Sequence, residues 1–167
     1  MENKKQKENE SNLKNLKEDY EILKEKYGLP EFRDFNEDFQ IERISEIETD
    51  FLLREIRKFI SDRISNYMRF LESLLNPTNA PLFIFSLCKA LTANEKKEIE
   101  NLYKDLMKIE LELLEIDIRY SEEKEAEFIK STFEFWKDFK RKWLGIIKTA
   151  KDNWDNKLES TNKGYFG

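Results

Sequence analysis

The sequence predicts an all-α protein: an antiparallel, up-and-down helical bundle of three long helices, with a docked N-terminal helix and a short buried apolar helix. Apolar side chains recur at steps of three and four residues over most of the chain, which is the spacing of one face of an α-helix. The 167 residues include only 4 glycines and 3 prolines, so helix breaks must be few. Short links between successive long helices favour neighbours that run in opposite directions.

The length of the chain fits one domain with a sizeable core. The first eleven residues are polar and charged, and the last eight, "STNKGYFG", carry little apolar pattern. We therefore expect a flexible N-terminal tail over residues 1–11, a single helical-bundle domain over residues 12–159 and a flexible C-terminal tail over residues 160–167.

The N-terminal helix has a narrow apolar stripe along one face. Ser11 or Asn12 can cap its start, Gly28 suits the position just after its end, and Pro30 blocks its continuation. A helix this short is marginal in isolation, so we expect its stripe to dock on another surface. The candidate docking stripe consists of Leu13, Leu16, Tyr20, Leu23 and Tyr27.

Two further helices are predicted before the middle of the chain. Phe32, Phe35 and Phe39 are spaced for one face of a short helix that begins at Pro30. Helical spacing then continues from Ile44 to Leu75 with no glycine or proline, which predicts one long helix.

Residues 79–91, "NAPLFIFSLCKAL", are apolar almost throughout. A short helix that is apolar on every side is typical of a buried helix, so we expect this segment inside the bundle. Cys88 lies within it. We expect a buried, inert thiol, since no base is near in sequence.

A capping box of Thr92 and Glu95 starts the next helix. That helix has two adjacent apolar stripes, which predict contacts with two or more neighbouring helices. The second stripe consists of Tyr103, Met107, Leu111, Leu114 and Ile118. No residue forbids one continuous helix over residues 93–159, but a turn near Ser121 is favoured because it allows the stripes to be buried.

The last helix combines tryptophans with basic residues. Trp136 and Trp143 are seven residues apart on the predicted core face, and Trp154 lies near the C-terminal end. Residues 95–127 hold 12 acids and 6 bases, whereas residues 128–157 hold 4 acids and 8 bases. Two explanations fit this charge pattern. Either the two segments are adjacent helices whose opposite charges face each other, or the basic segment is a surface that binds an acidic or phosphate-rich partner. The candidate interaction surface consists of Lys137, Arg141, Lys148, Lys151 and Trp154.

The chain lacks the residues that most enzyme active sites use. The chain has no histidine and one cysteine, which excludes histidine-dependent triads, histidine metal ligands and cysteine zinc sites. Carboxylate-only Mg²⁺ chemistry remains open, because the acids Glu110, Glu112, Glu115 and Asp117 crowd one helix. Charge runs are usually solvated faces, so we expect no enzyme activity, no cofactor and no metal site.

Charge and composition indicate a cytoplasmic protein. With 30 bases and 35 acids the net charge is −5, which favours solubility. The single cysteine suits a reducing compartment, and the N-terminus has no apolar segment of a signal peptide. The longest apolar run, "PLFIFSL", falls short of the roughly 20 residues that a membrane span needs.

Four segments carry a resemblance to a known family: "KYGLPEF", "LLREIRKFI", "FLESLLNP" and "EAEFIKSTFEFWKDFK". With these segments the chain resembles a family of small, uncharacterised archaeal all-helical proteins over most of its length beyond residue 12. The resemblance implies an archaeal, cytoplasmic origin and no particular activity.

Three hypotheses of function follow. The first is a non-enzymatic helical bundle that acts as a protein–protein interaction or adaptor module, with self-association included. The second is a nucleic-acid-associated accessory protein that uses the basic residues of the last helix. The third is a Mg²⁺-dependent all-α hydrolase that uses the acidic residues. The absence of catalytic groups, together with long amphipathic helices, favours the first.

Overall fold

A computed structural model describes the backbone of residues 2–163 and the side chains of residues 9–154; Met1 and residues 164–167 lie outside this description. Over the described backbone the chain is all-helical and contains no strand, which confirms the predicted all-α class; the up-and-down arrangement stays a prediction. The helices are α1 (Glu2–Tyr27), α2 (Phe32–Phe39), a 3-10 helix (Ile41–Glu46), α3 (Leu52–Leu75), α4 (Leu82–Ala90), α5 (Ala93–Ile118) and α6 (Glu122–Lys163).

The chain divides into two compact units. Unit 1 consists of Met1–Ile64 and Ile109–Phe135, and unit 2 consists of Ser65–Lys108 and Trp136–Gly167. Helices α3, α5 and α6 each contribute a segment to both units. One domain over residues 12–159 stays a prediction, and each unit is described separately below.

Both predicted tails include helical backbone. Helix α1 begins at Glu2 and not at the expected cap, Ser11 or Asn12, because residues 2–10 contain no glycine or proline to stop a helix. At the other end α6 continues to Lys163, so only residues 164–167 of the predicted tail lie outside the described residues.

In unit 1 the predicted docking stripe of α1 faces its own chain. Leu16 and Tyr20 are buried, and the other three stripe residues are half-buried. The helix packs against the 3-10 helix and α2. The Tyr20 hydroxyl donates a 2.8 Å hydrogen bond to the Pro30 carbonyl, and its ring meets Phe32 edge-on at 5.2 Å. The stripe is thus covered within unit 1.

The short phenylalanine helix forms as predicted. Phe35 and Phe39 are buried, and the ring of Phe35 lies 5.0 Å from Phe39 and 5.2 Å from Phe133 of α6. Gly28 follows α1 with a φ of 68°, a left-handed conformation that glycine adopts without strain.

The long helix predicted from Ile44 is interrupted. Residues 41–46 form the 3-10 helix, Ile47 is extended, and α3 begins only at Leu52. The Thr49 hydroxyl accepts a 3.0 Å hydrogen bond from the Phe51 amide, which gives the backbone a local alternative to the helix. Ile47 and Phe51, which the helical pattern placed in the core, are exposed as a result.

In unit 2, aromatic rings join α3 to α6. The Tyr67 ring lies 5.3 Å from Trp136 and 5.3 Å from Phe139, and the Phe70 ring meets Trp143 edge-on at 5.8 Å. Trp136 and Trp143 are both buried, so the prediction that they belong to the core is confirmed.

Two helix starts follow the predicted capping chemistry. The Glu95 amide donates to the Thr92 hydroxyl, and the Thr92 amide donates to the Glu95 carboxylate at 2.7 Å, which completes the capping box of α5. Helix α5 ends at Ile118 and α6 starts at Glu122, so the favoured turn near Ser121 is confirmed. The Ser121 hydroxyl accepts from the Lys124 amide and caps α6.

Candidate functional site

The apolar helix α4 of unit 2 is not the buried helix that the sequence predicts. Leu82 is 84% exposed and Phe83 is 61% exposed, while Ile84 and Ala90 are buried. A helix of nine residues between Pro81 and Leu91 presents only one side to the rest of the unit, and its other side remains uncovered. The expectation was wrong because composition alone does not supply neighbours on every side.

Helix α4 is held in place at its C-terminal half. The Asn153 side chain donates a 2.9 Å hydrogen bond to the carbonyl of Ala90, and the Cys88 sulfur lies 3.4 Å from the carbonyl of Leu74. Burial raises the pKa of the Cys88 thiol, and the charge of Lys96 opposes that rise. The thiol is half-buried and its contact is with backbone, which agrees with a packing role.

An apolar cavity of about 390 Å³ lies in unit 2 between α4 and the neighbouring helices. We call it the unit 2 groove. Its walls come from α3, from α4 with the residue that follows it, and from α6, and all but one of its side chains are apolar. The lining residues are Phe70, Leu74, Phe83, Leu87, Leu91, Trp143, Ile146, Ile147, Ala150, Lys151 and Trp154. A volume of this size falls within the roughly 300–1,000 Å³ typical of binding pockets.

The predicted basic surface of α6 divides into two parts. Arg141 donates to the Asp138 carboxylate, and the Lys142 ammonium lies 2.6 Å from the same carboxylate. Hydrogen bonding from Lys142, supported by the charge of Arg141, lowers the pKa of Asp138. The acid offsets the positive charge of this part of the helix.

The second part of the basic surface adjoins the groove. Lys151 lines the groove, Lys148 lies one turn earlier, and both are exposed. Within residues 9–154 neither has a carboxylate partner. Trp154 also lines the groove and is half-buried, whereas Lys137, at the other end of the surface, is exposed and lies outside the lining. The structure therefore brings two of the five predicted surface residues, Lys151 and Trp154, into one site.

The two units have opposite net charges. Unit 1 contains 16 basic and 26 acidic residues, a net charge of −10, and unit 2 contains 14 basic and 9 acidic residues, a net charge of +5. The total of −5 hides this difference. The basic residues of the chain are thus in excess over the acidic ones only in unit 2.

The second apolar stripe of α5 is also uncovered. In unit 1, Leu111 is 65% exposed, Leu114 is 59% exposed and Ile118 is 82% exposed. We call these three residues the α5 stripe. Two adjacent stripes predicted contacts with two or more helices, but this part of the second stripe has no covering neighbour among the described residues. The first stripe, which includes Leu113 and Ile116, is buried.

A buried ionic cluster lies elsewhere in unit 1. The Arg57 guanidinium is 2.6 Å from the carboxylate of Glu125 and 2.6 Å from that of Asp117. The Arg57 Nε atom and the Glu125 Oε2 atom are close enough for an ion pair, but their orientation is not that of a hydrogen bond. Burial raises the pKa of Glu125, while Arg57 lowers it. Arg57 pairs with both carboxylates, so the cluster compensates charge that is buried inside unit 1.

The acidic residues of α5 and α6 do not form a metal site in the described structure. Among residues 9–154, no three Asp, Glu or Cys side chains converge on a position that could hold a metal ion. Burial raises the pKa of Glu112, and the like charges of Glu115 and Glu127 raise it further. Lys124 compensates part of this charge through an ion pair of 3.5 Å with Glu115.

Most residues of the unit 2 groove are not predictable from the sequence pattern as a binding site. Phe83 and Leu87 were assigned to a buried helix, and Phe70 was not assigned to the core or to a surface. One signal was present: the helix "LFIFSLCKA" has only nine residues, and the link that precedes it, residues 76–81, contains Pro77 and Pro81.

None of the helices in the described part of the chain combines the length and the apolar content that crossing a lipid bilayer requires. Comparisons of the chain with protein-family models, with curated proteins and with solved structures found no match. The resemblance to archaeal helical proteins therefore stays a prediction, and any assignment of function depends on the groove.

Proposed function

We propose that this chain is a non-enzymatic helical interaction module, and that its unit 2 groove binds an acidic amphipathic helix of a protein partner. One observation carries the proposal: the exposed apolar side of α4 continues into an apolar groove that an exposed lysine, Lys151, also lines. Phe83 belongs to both surfaces, since it is 61% exposed and lines the groove. Contiguous exposed apolar surface of this kind marks interaction sites in soluble proteins.

The chemistry of the groove favours a helix as the ligand. An amphipathic helix inserts apolar side chains spaced at i, i+3 or i+4, and i+7 into a groove built by other helices. Trp143 and Trp154 supply large aromatic surfaces in the groove, and tryptophan is enriched among the residues that dominate binding energy.

Charge favours an acidic ligand. Lys151 lines the groove, Lys148 lies three residues earlier on α6, and unit 2 as a whole has a net charge of +5. Asp152 is the exposed acid next to them in sequence and offsets one charge. Complementary charge raises the association rate and disfavours basic partners.

Two further expectations, about the helix arrangement and about the location in the cell, accompany this proposal. Within unit 2, Tyr67 meets Trp136 and Phe70 meets Trp143, so residue numbers rise together along α3 and α6. This parallel pairing supports an up-and-down bundle in which α5 runs in the opposite direction between them. The single cysteine supports a cytoplasmic location, where thiols remain reduced.

Titration of the full chain with model peptides tests the proposal. One peptide carries leucines at i, i+3 and i+7 with glutamates between them, and its partner peptide has lysines in place of the glutamates. Tryptophan fluorescence reports binding because Trp143 and Trp154 line the groove. We expect saturable binding of the acidic peptide, weaker binding of the basic one, and a loss of affinity at high salt.

Matched variants locate the binding. Phe83→Asp introduces a carboxylate at the groove and should abolish binding of the acidic peptide, whereas Ile22→Asp alters an equally exposed residue of unit 1 and should leave it unchanged. Equal binding of both peptides, or full binding by Phe83→Asp, would overturn the proposal. A duplex oligonucleotide that displaces the acidic peptide would support the nucleic-acid hypothesis instead.

A further inference from the structure

The α5 stripe has the features of the ligand that the unit 2 groove requires. Leu111, Leu114 and Ile118 are spaced at i, i+3 and i+7, the anchor pattern of a helix that docks in a groove. All three are more than half exposed on a well-formed helix. The ligand would thus be pre-organised, which avoids the entropy cost of folding on binding.

The stripe is acidic where the groove is basic. Residues 109–118 contain four acids and no base; two of the acids, Glu115 and Asp117, also pair with Lys124 and Arg57 of the same unit. Glu115 borders the stripe on one side of the helix and Glu110 borders it on the other, at angles that follow from 3.6 residues per turn. The groove has Lys151 in its lining and Lys148 beside it. Apolar shape and charge are therefore complementary between two surfaces of the same sequence.

We infer that the protein associates with itself, and that the α5 stripe of one copy occupies the unit 2 groove of a second copy. The inference rests on the proposed function, because it identifies the acidic amphipathic helix as part of this chain. Both surfaces are open within a single copy, so association would cover two exposed apolar regions at once. The contact is heterologous: a stripe meets a groove, and each copy offers one of each.

Sedimentation velocity of the full chain over a wide concentration range tests the inference. We expect reversible association that weakens as salt rises, because opposite charges face each other across the contact. Leu114→Asp removes the stripe and retains the groove, and Phe83→Asp removes the groove and retains the stripe. Each change places a carboxylate in an apolar contact and should weaken self-association at least about tenfold.

Mixing the two variants gives the decisive result. Leu114→Asp has an intact groove and Phe83→Asp has an intact stripe, so an equimolar mixture should form a one-to-one complex although each variant alone is a monomer. Ile22→Asp, an equally exposed change outside both surfaces, should associate like the unmodified chain. Circular dichroism of each variant establishes that it is folded.

The other outcomes separate this inference from the proposed function. A chain that stays monomeric at every concentration, or a mixture that does not associate, overturns the inference, while binding of the acidic model peptide would still support the groove as a docking site. Loss of association in Leu114→Asp but not in Phe83→Asp would mean that two stripes pair with each other. If neither the peptide nor a second copy binds, the proposed function fails as well.

Discussion

The helices of unit 1 and the helices of unit 2 are held together by different kinds of contact. Unit 1, with a net charge of −10, places polar groups inside: Arg57 is paired with Glu125 in the interior, and the Tyr20 hydroxyl is bonded to the Pro30 carbonyl. Unit 2, with a net charge of +5, is joined by aromatic rings, with Trp136 stacked on Phe139 at 5.2 Å.

This difference relates packing to function. In unit 1, α1 is fastened at two points, because the Tyr20 hydroxyl donates to the Pro30 carbonyl and the Tyr27 hydroxyl donates to the exposed Glu122 carboxylate. Aromatic contacts supply much apolar area with less directional demand. In unit 2 such contacts join α3 to α6, and the outer side of α4 is left open. Under the proposed function, the open side of α4 and the unit 2 groove are the surfaces that a ligand covers.

The largest expected effect is on the ionic cluster of unit 1. Arg57→Met leaves Glu125 buried without its cation, and breaking a buried pair from one side costs about 3–5 kcal/mol. We expect a loss of that size in the free energy of unfolding, measured with urea. The double variant Arg57→Met, Glu125→Leu should recover most of the loss because no unpaired charge remains. A loss below about 1 kcal/mol in the single variant would show that the Arg57–Glu125 pair contributes no more to stability than a surface ion pair does.

The same variant has a predictable pH dependence. Burial raises the pKa of Glu125, and removing Arg57 raises it further, because Arg57 lowers it. A carboxyl with a higher pKa in the folded state binds more protons when folded, so it lowers stability as pH rises from about 4.3 through its folded pKa. The destabilisation in Arg57→Met should therefore be smallest near pH 4 and grow toward neutral pH. A destabilisation independent of pH would contradict this account.

Local sequence patterns were sufficient for several helix ends, but not for the starts of α1 and α3. The capping box of Thr92 and Glu95, the turn at Ser121 and the left-handed Gly28 all follow from neighbours within a few residues. Three-and-four spacing also placed Trp136 and Trp143 in the core. These features were predictable because the interactions that produce them are local in sequence.

The candidate site was not predictable from the sequence, because it depends on which apolar side chains no other helix covers. The apolar spacing of Leu111, Leu114 and Ile118 is the same whether a neighbour covers the stripe or not, and Phe83 in α4 is equally ambiguous. The partners Arg57 and Glu125 are 68 positions apart in the sequence, and no periodicity connects them. Only the tertiary arrangement distinguishes a core residue from a docking residue with the same spacing.

A smaller effect is expected where α1 is fastened in unit 1. Tyr20→Phe keeps the buried ring but removes the hydrogen bond to Pro30, and a bond of this kind contributes about 0.5–1.5 kcal/mol. We expect a decrease of that size in the free energy of unfolding. Tyr67→Phe in unit 2 is a matched control, because its ring contacts with Trp136 and Phe139 are retained. Equal losses in the two variants would weaken the contrast between the units.

A gain in stability of similar size is expected in unit 2. Gly145 lies within α6, and an added methyl group would meet no atom within 4 Å. Gly145→Ala should therefore stabilise the chain by about 0.8–1 kcal/mol, the difference in helix propensity, raising the temperature of unfolding. No stabilisation would mean that α6 is not an ordinary helix at this position. Binding of the acidic peptide should be unaffected, since Gly145 does not line the groove.

The smallest effect on stability is expected at the open side of α4. Phe83 is 61% exposed, so Phe83→Ser should change the free energy of unfolding by no more than about 0.5 kcal/mol. Its neighbour Ile84 is 4% exposed and buries its side chain, so Ile84→Ser should cost about 2–5 kcal/mol, as truncations in cores do. Phe83 and Ile84 are adjacent in the same short helix. Urea unfolding of the two variants therefore shows whether α4 is buried on every side or open on the side of Phe83. If Phe83→Ser were as damaging as Ile84→Ser, α4 would be a buried helix after all, and the open groove that distinguishes unit 2 from unit 1 would not exist in solution.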